Sequence, residues 1–319
     1  MKIIHFSDPH VGLWPSSGTA LYDKRIIGSL NYVLFRKSHF NLEVLQAAID
    51  KTIQLEPQVV VISGDITSVG SPEEFALARK LLRPLVQANL KLIYIPGNHD
   101  AYVKNRACVA ALAETFSYLN QGRYELSDLP LKYSIGEVSF LLLNQAIPTV
   151  PYLSCGLLNK ASVKLLQEPR TTAHEVKVAI GHFPVKTAQR EPLAFRRQLK
   201  NGRALVDTLE QANVDAYLCG HIHKPFINLY GSVLEVCAGS ISANGHLNVL
   251  EINQVKGTLE QRWEVISSKP DHNEKINSLC LPDLQYSGNS MFLARVPSKI
   301  NEMQAAKSTP HSSNGDSNE

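Results

Sequence analysis

The residues that could do chemistry fall into five short blocks: Asp8-Pro9-His10, Gly64-Asp65, Gly97-Asn98-His99-Asp100, Gly181-His182 and Gly220-His221-Ile222-His223. Their donors are Asp, Asn and His, with no thiolate among them. Oxygen and imidazole ligands of this kind suit Mn, Fe, Zn or Co better than Cu(I) or an iron–sulfur cluster. The candidate ligands outnumber what one ion ordinarily takes, and a carboxylate can bridge two ions. The set therefore predicts two divalent cations. Two such ions ~3.5 to 4 Å apart can polarise a phosphoryl group, make a bridging water a hydroxide near neutral pH, and stabilise both attacking and leaving oxygens. The reaction class implied is hydrolysis of a phosphate ester or anhydride.

Each block follows a strand-like run: Lys2 to Ser7, Val59 to Ile62, Lys91 to Ile95, Val176 to Ile180 and Ala216 to Cys219. In open α/β sheets ligands collect beyond the carboxyl ends of the strands, which brings residues far apart in sequence to one place. Asp8 and His10 are two apart, as are His221 and His223, so in extended segments each pair would face one side. Asn98 and His99 are adjacent and should point differently, one to a metal and the other to substrate. Between these runs the period is helical. Leu42, Leu45, Ile49 and Ile53 share a face, and Pro72 to about Gln87 opens with Ser71 as N-cap, with Pro84 marking a kink or an end. After Pro225 strand follows strand: Phe226 to Tyr230, Val233 to Cys237, Leu247 to Ile252 and Leu259 to Ile266. The pattern predicts an α/β first half passing into a mainly β last part within one sheet-based domain.

Taken in order, DPH, GD, GNHD, GH and GHIH make residues 1–266 resemble the calcineurin-like metallophosphoesterase superfamily. The resemblance implies an α/β fold of the four-layer α/β/β/α sandwich type. It implies that Asp8, His10, Asp65 and His223 hold one metal, and that Asp65, Asn98, His182 and His221 hold the second, with Mn2+ the first choice and Fe, Zn or Co alternatives. His99 would be the catalytic histidine, protonating the leaving oxygen. The expected activity is divalent-metal-dependent hydrolysis of a phosphodiester or pyrophosphate in a small nucleotide-type substrate, through a metal-bridging hydroxide. Cyclic nucleotides and a lipid nucleotide such as UDP-2,3-diacylglucosamine are the candidate substrates. One branch of the lipid enzymes has Arg where this chain has His99 and matches poorly. Alternatives are a nuclease, a protein phosphatase of the same superfamily, or a non-catalytic scaffold. A scaffold would show gaps among the ligands, and none is missing.

Composition sets the boundaries. Hydrophobic residues make up 44% and charged residues 19%, which excludes wholesale disorder, collagen and coiled coil. A net charge of +3 gives no support for nucleic acid as an obligatory partner. No apolar run approaches the ~18 residues of a membrane span, and the first residues lack the apolar core of a secretory signal. Five scattered cysteines with no CxxC spacing predict reduced, mostly buried thiols, and the cytoplasm is the expected compartment.

Two segments bear on partners. Residues 24–37 place Ile26, Ile27, Leu30, Val33 and Leu34 at helical spacing between Lys24-Arg25 and Arg36-Lys37. This is either an ordinary packed helix or a peripheral contact with the inner membrane that could cap acyl chains. Lys186, Arg190, Arg196, Arg197, Lys200 and Arg203 form either a rim for anionic substrate groups or a solvated basic face. Asp100 stands between a partner of the ligands and a turn residue. His5, His39, His174 and His246 lack ligand context and are expected in core or surface roles. Cys219 is expected as strand filling. Residues 267–303 form a weakly patterned extension with apolar islands at Leu279 to Leu281 and Met291 to Leu293, and residues 304–319 read as a disordered tail.

Overall fold

Continuous apolar runs such as Val59–Ile62 and Val138–Leu142 have no polar side to offer water, so they belong between two packed layers. The structure, a computed structural model, describes residues 1–14, 23–32, 39–253, 258–266, 284–287 and 291–293, the last two segments by backbone alone. The tail 304–319, the island Leu279 to Leu281, and Val33, Leu34, Arg36 and Lys37 of the 24–37 segment lie outside the described residues.

In chain order the elements are β1 (Lys2–Phe6), α1 (Arg25–Asn31), α2 (Leu42–Gln54), β2 (Val59–Ile62), α3 (Pro72–Gln87), β3 (Lys91–Tyr94), α4 (Arg106–Leu119), β4 (Leu131–Ile135), β5 (Val138–Leu142), β6 (Gly156–Leu157) and α5 (Lys160–Leu166). They continue with β7 (Val176–Ile180), β8 (Leu199–Lys200), α6 (Gly202–Gln211), β9 (Ala216–Cys219), β10 (Phe226–Tyr230), β11 (Val233–Cys237), α7 (Ile241–Asn244), β12 (His246–Asn253), β13 (Thr258–Val265), β14 (Leu284–Ser287) and β15 (Met291–Leu293).

One sheet has the order β15-β14-β13-β12-β1-β2-β3 and the other β10-β11-β9-β7-β5-β4, with β6 and β8 as a separate pair. In the first, β1, β2 and β3 are parallel; in the second, β5, β7, β9 and β11 are. Successive residues of the second sheet serve different interiors. Phe140, Leu142, Val178, Ile180, Ala216 and Leu218 pack toward the first sheet with Ile3, Val61 and Ile93. Their neighbours Leu141, Ala179, Tyr217 and Cys219 pack with Leu165, Leu166, Leu205 and Leu209 of α5 and α6. This period of two places helices, sheet, sheet and helices in four layers. Ser71 caps α3 by accepting from Glu74 N at 3.2 Å, and the helix runs through Pro84 to Gln87.

Glu74 fastens the chain leading to the metal-type ligands. Its Oε2 accepts from Ser68 N (3.2 Å) and Val69 N (2.8 Å), and its Oε1 from Leu13 N (3.1 Å). Burial pushes its carboxyl up to about 7 against the pull of these amides. A carboxyl raised in the folded state contributes most below the unfolded value of 4.5 and loses that contribution as pH climbs to about 7. Urea unfolding at pH 4.5 and pH 8 should therefore show a decline in wild type, relative to Glu74→Gln, of up to about 3 kcal/mol. Parallel profiles for the two proteins would contradict it.

Candidate metal centre and cleft

The five blocks follow β1, β2, β3, β7 and β9, all at carboxyl ends of parallel strands, and the two sheets bring these ends together. Backbone bonds lock the loops to one another: Asp8 N donates to Gly64 O (3.0 Å), His10 N to Asp65 O (3.0 Å) and Gly220 N to His182 O (2.9 Å). The loops also approach too closely for side chains at two glycines. A Cβ on Gly220 would collide with Ser7 Oγ and Asp8 Oδ2, and one on Gly97 with Asp65.

The ligand-type atoms converge in overlapping groups, each with its atoms within 4.8 Å of one another: Asp8, His10 and His223; His10, Asp65 and His99; Asp65, His182 and His221. Asp65 stands in two of the three. Individual separations are Asp8 Oδ1 to His10 Nε2 3.4 Å, Asp8 Oδ1 to His223 Nε2 3.4 Å, and Asp65 Oδ2 to His182 Nε2 3.2 Å. The two-residue spacings bring Asp8 with His10 in one group and place His221 and His223 on the same cleft in different groups, but not through extended backbone. Asp8, His10, Asp65, His221 and His223 all have left-handed φ, from +48° to +71°. Tight turns, not strand pleats, aim these side chains, and Asp and His are among the residue types that tolerate this region best.

Backbone carbonyls fix which imidazole nitrogen faces inward. The Nδ1–H of His182 donates to Ser63 O (2.7 Å), that of His10 to Thr67 O (3.3 Å), and that of His99 to Ser68 O (2.5 Å). His221 is held the other way, its Nε2–H donating to Arg197 O at 3.0 Å, which leaves Nδ1 free of that bond. Such outer carbonyl contacts are how ligating histidines are usually oriented. His10 and His223 approach with Nε2 atoms 2.8 Å apart.

Four buried atoms here have no hydrogen-bond partner: Asp8 Oδ1, Asp65 Oδ2, Asn98 Oδ1 and His182 Nε2. Burying such atoms without a partner is costly, and these four supply the donor set a divalent cation requires. The charges agree. Burial opposes ionisation of Asp65, yet His182 and His99 outweigh it and hold its carboxyl far below the usual range. Asp8 is depressed too, its burial overcome by His10 and His223. Burial disfavours a charged His182, but Asp65 and Asp8 push it up to about 10, whereas burial takes His221 down to about 3. Ionised carboxylates in the interior need positive charge beside them. A cation taking its place among these groups would displace the His182 proton.

Asp100 is a brace. Its carboxylate accepts from Thr67 N (3.0 Å), Thr67 Oγ1 (2.8 Å) and Gly97 N (3.0 Å), while burial and the charge of Asp65 raise it to about 6. His99 donates its backbone N–H to Asp65 Oδ1 at 2.7 Å, and its ring stacks on Tyr102 at 5.6 Å.

These groups floor a cleft of about 400 Å³ whose lining includes Asp65, His99, His221 and His223, with His39, Phe40, Ser154, Arg197, Lys224 and Asn244 around them. A hollow of about 610 Å³ between α3 and α4 offers Glu114 and Glu125 but no imidazole, so chemistry rather than size distinguishes the cleft. His39, Phe40, Lys224 and Asn244 carry no motif signal; Lys224 alone could have been noticed, as the residue after His223. His5 is buried against Ser63 Oγ (2.8 Å), His174 is exposed, and Cys219 fills β9. The basic run divides, with Arg197 at the cleft and Lys186, Arg190 and Arg203 around a separate hollow.

Comparison with known families decides the affiliation. The profile of the calcineurin-like phosphoesterases matches residues 1–225. The chain belongs to this family. The family is one of metal-dependent phosphoester hydrolases that use two metal ions, and the clustered donor groups of this chain are of that kind. Glycerophosphodiester phosphodiesterase GpdQ of Enterobacter lignolyticus is 29% identical over 181 residues, 54% of this chain and 59% of that protein. The chain thus spans less than two thirds of that relative. A "probable cyclic nucleotide phosphodiesterase" of Vesicomyosocius okutanii is 26% identical over 196 residues, 60% of this chain and 72% of its own length. Among solved structures, a dimetal phosphatase from Danio rerio aligns with a TM-score of 0.59 at 14% identity, covering 83% of this chain and 96% of that one. That likeness concerns the fold.

Proposed function

We propose that this phosphoesterase hydrolyses a phosphodiester or pyrophosphate bond in a small nucleotide-type substrate. One divalent cation is held by Asp8, His10, Asp65 and His223, and a second by Asp65, Asn98, His182 and His221, with Mn2+ the first choice. The observation that carries this is the convergence of two ligand groups on Asp65, with one unpartnered buried atom on each of Asp8, Asp65, Asn98 and His182. When bound, the cations supply Lewis-acid polarisation of the phosphoryl oxygens and lower the pKa of an attacking water.

The chain's own groups do the rest. Asp65 Oδ1 fixes the His99 backbone, and Ser68 O fixes a proton on Nδ1, so Nε2 is the ring atom that can pass a proton to the leaving oxygen. Arg197 and Lys224 line the cleft and can bind the charge of a flanking phosphate or diester oxygen. The names of the two sequence relatives support a diester over a monoester. Peripheral membrane contact through residues 24–37 belongs to the same proposal, since α1 exposes Ile27 and Leu30 while burying Arg25 and Ser29. No helix among the described residues is long and apolar enough to cross a membrane. The four described cysteines are free, which fits a cytoplasmic setting.

A turnover panel with Mn2+ tests the substrate class. Cyclic nucleotides, dinucleotides, lipid nucleotides, bis(p-nitrophenyl) phosphate and single-stranded DNA are compared with p-nitrophenyl phosphate. Small diesters or pyrophosphates should lead, and chelation should abolish all rates. A monoester or DNA turned over ahead of them would overturn the assignment.

A further inference from the structure

The mouth of the cleft carries apolar side chains outward on separate turns. Val150 is 64% exposed, Tyr152 78% and Phe195 74%. Ser154 N donates to Arg196 O at 2.8 Å and Cys155 Sγ to Phe195 O at 3.4 Å, so the two turns form one rim. Ser154 and Arg197 of that rim line the cleft itself. Tyr152 sits at left-handed φ (+69°), a conformation uncommon for a bulky residue, and within a turn closed by Leu153 N to Val150 O at 3.2 Å. A third contributor is α1, tied to the same turn by Lys24 Nζ donating to Thr149 O (2.6 Å), with Ile27 45% and Leu30 41% exposed.

Charge surrounds these tips. Between residues 186 and 203 the chain has six Lys or Arg and a single carboxylate, Glu191. Arg190, Arg196 and Arg197 are exposed, and the last two directly follow Phe195. The apolar groups project from separate turns and do not line a groove, so a partner helix would find no continuous seat. Aromatic tips flanked by cations instead match a bilayer interface, where rings enter the headgroup boundary and Lys and Arg meet anionic lipid.

We propose that this rim is a contact surface for anionic membranes, which sets the mouth of the cleft against the bilayer and makes the substrate an amphiphilic phosphoester presented there. The first half concerns binding alone; the substrate half rests on the function proposed above.

The test uses the full chain loaded with Mn2+ and vesicles of phosphatidylglycerol mixed with phosphatidylcholine, or of phosphatidylcholine alone. Wild type should co-sediment with the anionic vesicles, release with salt, and partition weakly to phosphatidylcholine. Partitioning of the double variant Tyr152→Ser/Phe195→Ser, and of Arg196→Glu, should fall by about tenfold or more. Both should keep the wild-type melting curve and the wild-type rate on soluble bis(p-nitrophenyl) phosphate. Wild type that ignores anionic vesicles, or a double variant that binds them equally well, overturns the proposal. So does a concentration-dependent dimer of wild type that the double variant loses, because the rim would then be a self-interface. Failure of wild type to turn over any diester, with vesicle binding intact, would instead count against the function and leave the surface standing.

Discussion

Asp65→Ala is expected to lose bound metal and to lower kcat/KM on any diester by roughly a thousandfold or more. That magnitude follows from removing several kcal/mol of charge stabilisation supplied through the ions. Asp65 is the one side chain belonging to both the Asp8-side and the His182-side arrangements, through His10 at 3.8 Å and His182 at 3.2 Å. Its two oxygens serve differently. Oδ2 has no hydrogen-bond partner, whereas Oδ1 accepts from His99 N. Asp65→Asn therefore separates the two duties, keeping an acceptor for His99 while discarding the charge between the cations. It should retain the melting behaviour of wild type and still bind less than two equivalents of Mn2+ by elemental analysis. Two equivalents of tightly held metal and near-normal turnover in either variant would refute the shared-carboxylate assignment.

His99→Ala has the second largest expected effect and a different signature. The ring touches Ser68 O and Tyr102 and lines the cleft, but its loss removes none of the seven proposed ligands. Metal content should stay at the wild-type value. Rates on diesters with alkoxide leaving groups should fall by ~10²-fold or more, because the departing oxygen then lacks a proton donor. On bis(p-nitrophenyl) phosphate the decline should be much smaller, since p-nitrophenolate leaves without help. Equal losses on both substrates would show that His99 acts in binding or positioning instead of proton transfer.

Much of this architecture could be read from the chain alone, for reasons that differ by element. Val59–Ile62 and Ala216–Cys219 are buried on both faces, so composition reveals them without any alternation. Pro72–Gln87 is legible from Ser71 as its cap and Pro72 at its first turn, and Pro84 near its end is compatible with one more turn. The hairpin β4–β5 was harder. Leu131–Ile135 is an edge strand of intermediate burial with Lys and Ser in it, and such a segment offers neither a clean period nor a continuous apolar run. The division into two sheets was also hidden, because a run buried on both sides does not state which interior each side faces.

The same limit applies around the cleft. Blocks containing Asp, His and Gly advertise their chemistry by residue type, but His39, Phe40 and Asn244 reach the site only through tertiary placement. Asn41 N bonds to Ser242 O at 3.0 Å, which sets the start of α2 against α7 and carries His39 and Phe40 to the rim. The role of Asp100 is hidden for a comparable reason: three of its four bonds reach Ile66 and Thr67, more than 30 residues away, and only the fourth, from Gly97 N, lies in its own loop. The pairing of Asp8 with His10 was anticipated, but by a mechanism the backbone does not use.

That backbone has a consequence for durability. Five non-glycine residues in left-handed turns each cost about 1 kcal/mol or more in a molecule whose whole folding margin is roughly 5–15 kcal/mol. Glycine at those places would relax the backbone, but it would leave the His99 and His221 amides without the Asp65 and Asp8 oxygens that accept from them. The same side chains thus hold the loops together and furnish the ligand atoms, so the turns cannot be eased without loosening the floor of the cleft.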